Sequence, residues 1–253
     1  MAKIISVVNQ KGGVGKTTSA VNLAAALGAL GKRVLLVDID PQGNTTSGYG
    51  ISRKGLPATS YEVLTGALPA ANAIIRTKFQ GVDIIPSNIN LAGAEIELAA
   101  MDKREAMLKN ALALVGDNYD FIFFDCPPSL GLITLNALTA SDSFIVPIQC
   151  EYYALEGLSQ LMATVRTIKR LYNPFIELEG VLLTMFDGRL NLTQQVVTEI
   201  KNFFPKKVYA TVIPRNVRLS EAPSFGEPVL YYDRASRGAE SYNALAEEFL
   251  KLQ

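Results

Sequence analysis

Six short runs dominated by branched and aromatic apolar residues punctuate the chain: IISVV at residues 4–8, VLLVD ending at Asp38, VDIIP at 82–86, FIFFD ending at Asp125, FIVPI from Phe144, and GVLLT ending at Thr184. Between them lie longer Ala- and Leu-rich stretches with helical spacing, at residues 19–30, 104–115 and 155–171. The runs are continuously apolar, without polar alternation, which marks strands buried on both faces; alternation of such strands with helices predicts a parallel sheet covered on both sides. The expected fold class is therefore α/β, a single-domain, mostly parallel twisted sheet with helices on both faces, spanning residues 1–253. Neither a repeat nor a low-complexity tract interrupts it, and the Gly- and Pro-containing segments are turn-sized. The least regular parts, residues 43–59 and 214–232, are too long for simple turns. Long loops on such a scaffold carry function, and both are expected to reach the carboxyl edge of the sheet.

Charge and composition narrow the chemistry. Lys plus Arg balance Asp plus Glu at 24 each over 253 residues, so no overall field draws the protein to nucleic acid or an anionic membrane, and any such binding needs a local patch. Histidine is absent, which leaves carboxylates, lysines, hydroxyls and backbone amides to do the work of a general base or metal ligand. Cys126 and Cys150 are too few for a disulfide framework, and Cys126, at an apolar strand end, reads as a small buried thiol. The apolar run after Met1 is too short for a secretory signal, and no segment approaches the roughly 18 apolar residues of a membrane span. A cytoplasmic, soluble protein is expected.

Directly after the first strand stands NQKGGVGKTTS, residues 9–19. Strand, glycine-rich loop, lysine, hydroxyl residues and helix, in that order, wrap backbone N–H groups around phosphates and aim a helix N-terminus at them. Against the pattern G-x-x-x-x-G-K-[ST], Gly15, Lys16 and Thr17 match, whereas Gln10 takes the place of the first glycine. The loop also carries a second lysine, Lys11. KGGVGKT resembles the diagnostic loop of the deviant Walker A ATPases, which are deviant P-loop NTPases. Further stretches, VDIDPQGN (37–44), DCPPSLG (125–131), QCEYYALEGL (149–158) and VIPRNVRLSEAPSFGEPV (212–229), resemble the ParA/Soj chromosome-partitioning family over essentially the whole chain.

That resemblance implies an ATP hydrolase requiring Mg²⁺, in which Lys11, Gly12, Gly13, Val14, Gly15, Lys16, Thr17 and Thr18 form the phosphate site. It implies that Lys11 reaches across an ATP-dependent homodimer to the phosphates held by the other subunit. A cation delivered in trans acts like an arginine finger, worth roughly 10³ or more in rate. Asp125, ending an apolar strand, is the expected Walker B carboxylate, with Thr17 the other protein group at the metal. By resemblance Asp40 orients the attacking water and Asp38 lies nearer the metal shell; a helix or turn cap is the alternative role for either aspartate. Thr184, Met185, Pro214 and Val217 are the expected adenine contacts, and Glu151 is a candidate for the ribose, for Lys11 across the dimer, or for a surface ion pair.

The family's ATP-bound dimer binds double-stranded DNA without sequence preference, and a ParB-type partner stimulates its slow hydrolysis, so the chain is expected on the nucleoid. Residues 166–218 carry nine cations against four anions, and Arg189 and Arg218, with Lys201, Lys206 and Lys207 in support, are the named DNA candidates. A ParA-like ATPase positioning a plasmid or a protein cargo would use the same chemistry. A MinD-like division-site ATPase would need a basic amphipathic C-terminal helix for the membrane. Here Glu240, Glu247 and Glu248 outnumber Lys251 in that helix, so no membrane partner is expected.

Overall fold

Every residue of Val34–Asp38 and of Phe121–Asp125 is buried. Along both strands successive side chains enter two different cores: Leu35, Val37, Ile122 and Phe124 pack on one side, and Val34, Leu36, Phe121 and Phe123 on the other. The two-residue period of a strand is present, but both of its phases are apolar. The computed structural model describes residues 1–151 and 154–253, the Ala154 side chain excepted, so Tyr152 and Tyr153 of the 149–158 motif lie outside the described residues.

In chain order the first half comprises β1 (Lys3–Val7), α1 (Lys16–Ala29), β2 (Val34–Asp38), α2 (Asn44–Gly48), α3 (Ser60–Leu64), α4 (Ala70–Ala73), β3 (Ile75–Arg76), β4 (Val82–Ile85), α5 (Leu91–Ala99) and α6 (Met107–Leu112). There follow β5 (Phe121–Asp125), α7 (Leu132–Ala140), β6 (Ser143–Gln149), α8 (Ala154–Leu171), β7 (Glu177–Thr184), α9 (Asn191–Phe203), α10 (Val217–Glu221), α11 (Val229–Tyr232) and α12 (Arg237–Lys251). The strands form one seven-stranded sheet in the order β3-β4-β2-β5-β1-β6-β7. All pairings are parallel except that of the two-residue β3 with β4. Helices α1 and α12 bury Leu23, Leu27, Tyr242, Leu245 and Phe249 on one face, while α5 to α9 bury Leu98, Leu108, Leu138, Leu161 and Ile200 on the other. The apolar face of α12 is thus committed to the core, and among the described residues no helix is long and apolar enough to cross a membrane.

Three features depart from the pattern read along the chain. The helix expected at 104–115 is broken into a 3₁₀ turn at 104–106 followed by α6, because the buried Asn136 of α7 takes backbone groups there: its Nδ2 donates to the Arg104 carbonyl and its Oδ1 accepts the Leu108 N–H. Residues 207–214 run along the outer side of β7, with Tyr209 N–H on the Val181 carbonyl and Ile213 N–H on that of Leu183. They cover an edge that would otherwise offer unpaired backbone groups. The two long loops carry short helices, α2 in one and α10 and α11 in the other, while residues 49–59 stay outside helix and strand.

Those two loops meet glycine to glycine. Gly226 has φ 65°, and a Cβ built on it falls 2.5 Å from the Cα of Gly50. Gly226→Ala therefore meets both the left-handed backbone penalty, roughly 1–2 kcal/mol, and a backbone collision, roughly 1–3 kcal/mol. The expected outcome is a loss of about 2–4 kcal/mol and a Tm lower by roughly 5–15 °C in thermal denaturation; an unchanged Tm would show that the crossing can widen without cost.

Candidate functional site

The carboxyl ends of β1, β2, β5, β6 and β7 share one edge, and the glycine-rich loop leaves it from β1. Asn9, buried at the strand end, fixes the departure: its Nδ2 donates to the Pro147 carbonyl at 2.8 Å and its Oδ1 accepts the Lys11 N–H at 3.0 Å. Gly13 and Gly15 both take left-handed φ, 74° and 88°, which turns the chain into α1 with Gly15 at the cap. Among the described residues no side chain caps α1, so the N–H groups of its first turn, Lys16 to Thr18, point toward the loop with the positive end of the helix dipole behind them. From the far side Thr184, ending β7, donates its hydroxyl to the Val14 carbonyl at 2.8 Å.

The two lysines are placed differently. Lys16 is 7% exposed, and its Nζ donates to the Lys11 carbonyl at 3.1 Å. Burial lowers its pKa, against the attraction of Asp125, Cys126 and Asp40. Lys11 projects outward with its Nζ 2.6 Å from Glu151 Oε2, the two side chains 37% and 47% exposed. Of the contacts expected for Glu151, the one formed is with Lys11, within the same chain. An ion pair this exposed is worth about 0–1 kcal/mol and opens at little cost.

Register places two carboxylates side by side, for Asp38 of β2 pairs with Asp125 of β5. Both are fully buried, and burial pushes both pKa values up, reinforced at Asp38 by repulsion from Asp125. Their surroundings differ. Asp38 Oδ2 accepts the Thr46 N–H and hydroxyl, at 2.8 and 2.6 Å, and its Oδ1 accepts the Asp40 N–H at 3.2 Å. Its oxygens hold up the loop. Asp125 Oδ2 accepts the Thr45 hydroxyl at 2.7 Å, and the Thr17 hydroxyl also favours its charged form, but its buried Oδ1 has no hydrogen-bond partner among the described residues.

An orphaned carboxylate oxygen beside a threonine hydroxyl fits a small hard cation. Among the described residues no three Cys, Asp or Glu side chains converge on a metal, so Mg²⁺ would draw its remaining ligands from phosphate and water, as it usually does. Asp40 is buried, and its Oδ1 accepts the Gln42 N–H at 2.9 Å. Cys126 and Cys150 are free and buried; burial drives both thiols up, Cys150 to about 11, so neither is a ready nucleophile.

Beside Gly15 opens a cavity of about 260 Å³ lined by Thr18, Thr184, Met185, Ile213, Pro214, Arg215, Asn216, Leu219, Ser220, Pro223 and Tyr242. Three of the expected adenine contacts, Thr184, Met185 and Pro214, line it. Val217 does not; it is 69% exposed, because α10 turns its neighbours Asn216 and Leu219 inward instead. Reading along the chain also missed Arg215, Ser220, Thr45 and Thr46. The hydroxyl pair directly after DIDPQGN was the available signal for the last two.

The expected DNA residues differ in their surroundings. Arg189 is paired with Asp187, Nη2 to Oδ2 at 2.7 Å, and Arg218 with both Glu221 and Asp233, at 2.7 and 3.1 Å. Lys201 is in the last turn of α9 and Lys206 and Lys207 follow just past it, which at 1.5 Å per residue puts Lys201 roughly 18 Å along the chain axis from Arg189. These three are exposed and form no ion pair among the described residues.

Comparison with known proteins adds relatives to this geometry. A family model described as an AAA domain matches residues 2–178. The sporulation initiation inhibitor protein Soj of Bacillus subtilis is 59% identical over 248 residues, covering 98% of each chain. The chromosome partitioning protein ParA of Myxococcus xanthus is 51% identical over 251 residues, covering 99% of this chain and 89% of that protein. Among solved structures, a Mycobacterium smegmatis protein described as cobyrinic acid a,c-diamide synthase, with ADP and magnesium bound, is 39% identical with a TM-score of 0.87, over 99% of this chain and 95% of that one.

Proposed function

The chain belongs to the Soj/ParA family of chromosome-partitioning ATPases, and from that membership we propose that it is an ATP-dependent, dimerising, DNA-binding ATPase that partitions chromosomal origins with a ParB-type protein. The observation that carries this reading is the division of labour between the two lysines. Lys16 lies inside the loop where β- and γ-phosphates belong, whereas Lys11 stands outside it, on an exposed ion pair that phosphate oxygens can replace. A lysine turned away from its own site serves a neighbour's, and two such exchanges make a pair of ATP molecules the adhesive of a dimer.

Within each subunit the N–H groups of α1 and Lys16 bind the phosphates, and the cavity beside Gly15 takes the adenine. Asp125 and Thr17 hold Mg²⁺, which when bound offsets charge on the transferring phosphoryl group; magnesium and ADP occupy the Mycobacterium relative. Asp40 orients the water. Asp38, with its oxygens engaged by Thr46 and Asp40, shapes this loop from the edge of the metal shell. Hydrolysis is slow until the partner binds, and release of ADP protomers resets the cycle on the nucleoid.

Sedimentation with a slowly hydrolysed ATP analogue and Mg²⁺ tests the proposal: the protein is expected to be a dimer that retains duplex DNA of any sequence, and a monomer off DNA with ADP. A protein monomeric in both states across a wide concentration range refutes it. For DNA, ion-paired Arg189 and Arg218 contribute less field than the unpaired lysines. Removing Lys201, Lys206 and Lys207 together should flatten the log-log salt dependence of binding by up to about 2.7, at about 0.9 per lost phosphate contact, and the Arg189, Arg218 double variant by less. A larger effect of the arginine pair would show that DNA displaces their carboxylates.

A further inference from the structure

The loop that carries Asp40 is gripped from outside by a residue that neither motif nor cavity includes. Arg53 lies nine positions after Asn44, the last residue of VDIDPQGN, in the run Ser52-Arg53-Lys54 between α2 and α3. Its Nη1 donates to the Gln42 carbonyl at 2.5 Å. Its methylenes lie across Gly43, so that a Cβ built there would come within 2.7 Å of Arg53 Cδ and 2.8 Å of the Ser87 carbonyl oxygen. Among the described residues Arg53 forms no ion pair with a carboxylate, so the guanidinium is not held by an acid elsewhere.

Gln42 is therefore held on both sides. Its N–H donates to Asp40 Oδ1 at 2.9 Å, and its carbonyl accepts from Arg53; the next N–H, of Gly43, donates to the Asp40 carbonyl at 2.9 Å. These short-range bonds close the turn from Asp40 to Gly43 on its inner side, Ser47 holds the Gly43 carbonyl through its N–H and hydroxyl, and Arg53 closes the turn on the outer side. A carboxylate that orients water works only within a narrow range of positions, and a misplacement of about 1 Å costs on the order of a hundredfold in rate. A guanidinium bond to the backbone two residues on is a direct means of restricting that range.

We infer that Arg53 is a positioning residue for hydrolysis: by clamping the Gln42 carbonyl it fixes the turn that aims the Asp40 carboxylate. The inference rests on the role proposed for Asp40. Arg53 is assigned to act through Gln42, whose carbonyl it holds.

The test has one readout independent of turnover and one that depends on it. In Arg53→Ala, amide hydrogen exchange of the 40–46 segment is expected to speed up by at least tenfold in the nucleotide-free protein, with Tm within about 2 °C of the parent, since a single exposed side chain is lost. Steady-state hydrolysis on DNA should then show kcat lower by roughly ten- to a hundredfold with the KM for ATP unchanged. Arg53→Lys, whose ammonium can still donate to the carbonyl, should recover part of both. Parental exchange in Arg53→Ala overturns the clamp. Faster exchange with parental kcat, or a raised KM at constant kcat, overturns the positioning role and makes Arg53 a packing or nucleotide contact. If the parent itself fails to hydrolyse ATP, the ATPase reading falls while the exchange result still decides whether Arg53 holds the turn.

Discussion

Asp40→Ala is expected to bind ATP, dimerise and remain on DNA, with hydrolysis reduced by roughly 10²–10⁴, the range typical for loss of a positioned proton acceptor. The chain contains no histidine, and Asp40 is the buried carboxylate at this edge engaged neither by β2 pairing nor by the Asp125 pocket. Its Oδ1 also accepts the Gln42 N–H, so alanine removes both the charge and a turn contact. Asp40→Asn separates the two, because the amide oxygen can keep the turn while the negative charge is lost. Phosphate release and DNA co-sedimentation measured together decide the matter. If Asn behaves as Ala does and the dimer stays on DNA, the charge is what hydrolysis requires; if Asn alone turns over at the parental rate, Asp40 only shapes the loop, and if Ala does too, hydrolysis needs neither its charge nor its turn contact.

Lys11→Ala should separate binding from assembly. Lys16 and the α1 amides remain, so ATP still binds, but the dimer is lost and turnover falls by roughly 10³, the lower range for removal of a cation supplied in trans. Lys16→Ala, by contrast, removes nucleotide binding itself. Because the ion pair with Glu151 is exposed, its loss accounts for about 1 kcal/mol at most and cannot produce an effect of that size. Mixing two inactive variants supplies the sharpest check. In a mixed dimer the Lys11→Ala subunit keeps Asp40 and receives Lys11 from an Asp40→Ala partner, so part of the activity should return. Recovery absent at any ratio, with mixed dimers demonstrated, would place the action of Lys11 within its own subunit.

What the chain declares locally and what it does not can be told from particular residues. The six apolar runs each became a strand of the sheet, because a strand buried on both faces must be apolar at every position whatever lies beside it. The phosphate loop was equally plain, since left-handed turns at Gly13 and Gly15 and a lysine at the helix start are demands of a few consecutive residues. The helix over 104–115 failed to form whole because Asn136, some thirty residues on, took its backbone groups. No local pattern records such a visitor. The same holds for charge: Arg189 and Arg218 read as free cations in one dimension, and in three each has a carboxylate partner.

The site divides along the same line. That Asp38 and Asp125 end apolar strands, with Asp40 two residues past the first, was visible in the sequence; that Asp38 has both oxygens occupied by Thr46 and Asp40, while Asp125 keeps one unpaired among the described residues, was decided by which strands became neighbours. Arg53 and its hold on Gln42 belong wholly to the tertiary structure. The physical reason is one of range. Burial pattern and backbone turns are set by residues within a few positions of each other, and so are written in order along the chain. The partner of a hydrogen-bonding or charged group is whatever the completed fold brings within about 3 Å, and that is known only once the sheet has closed.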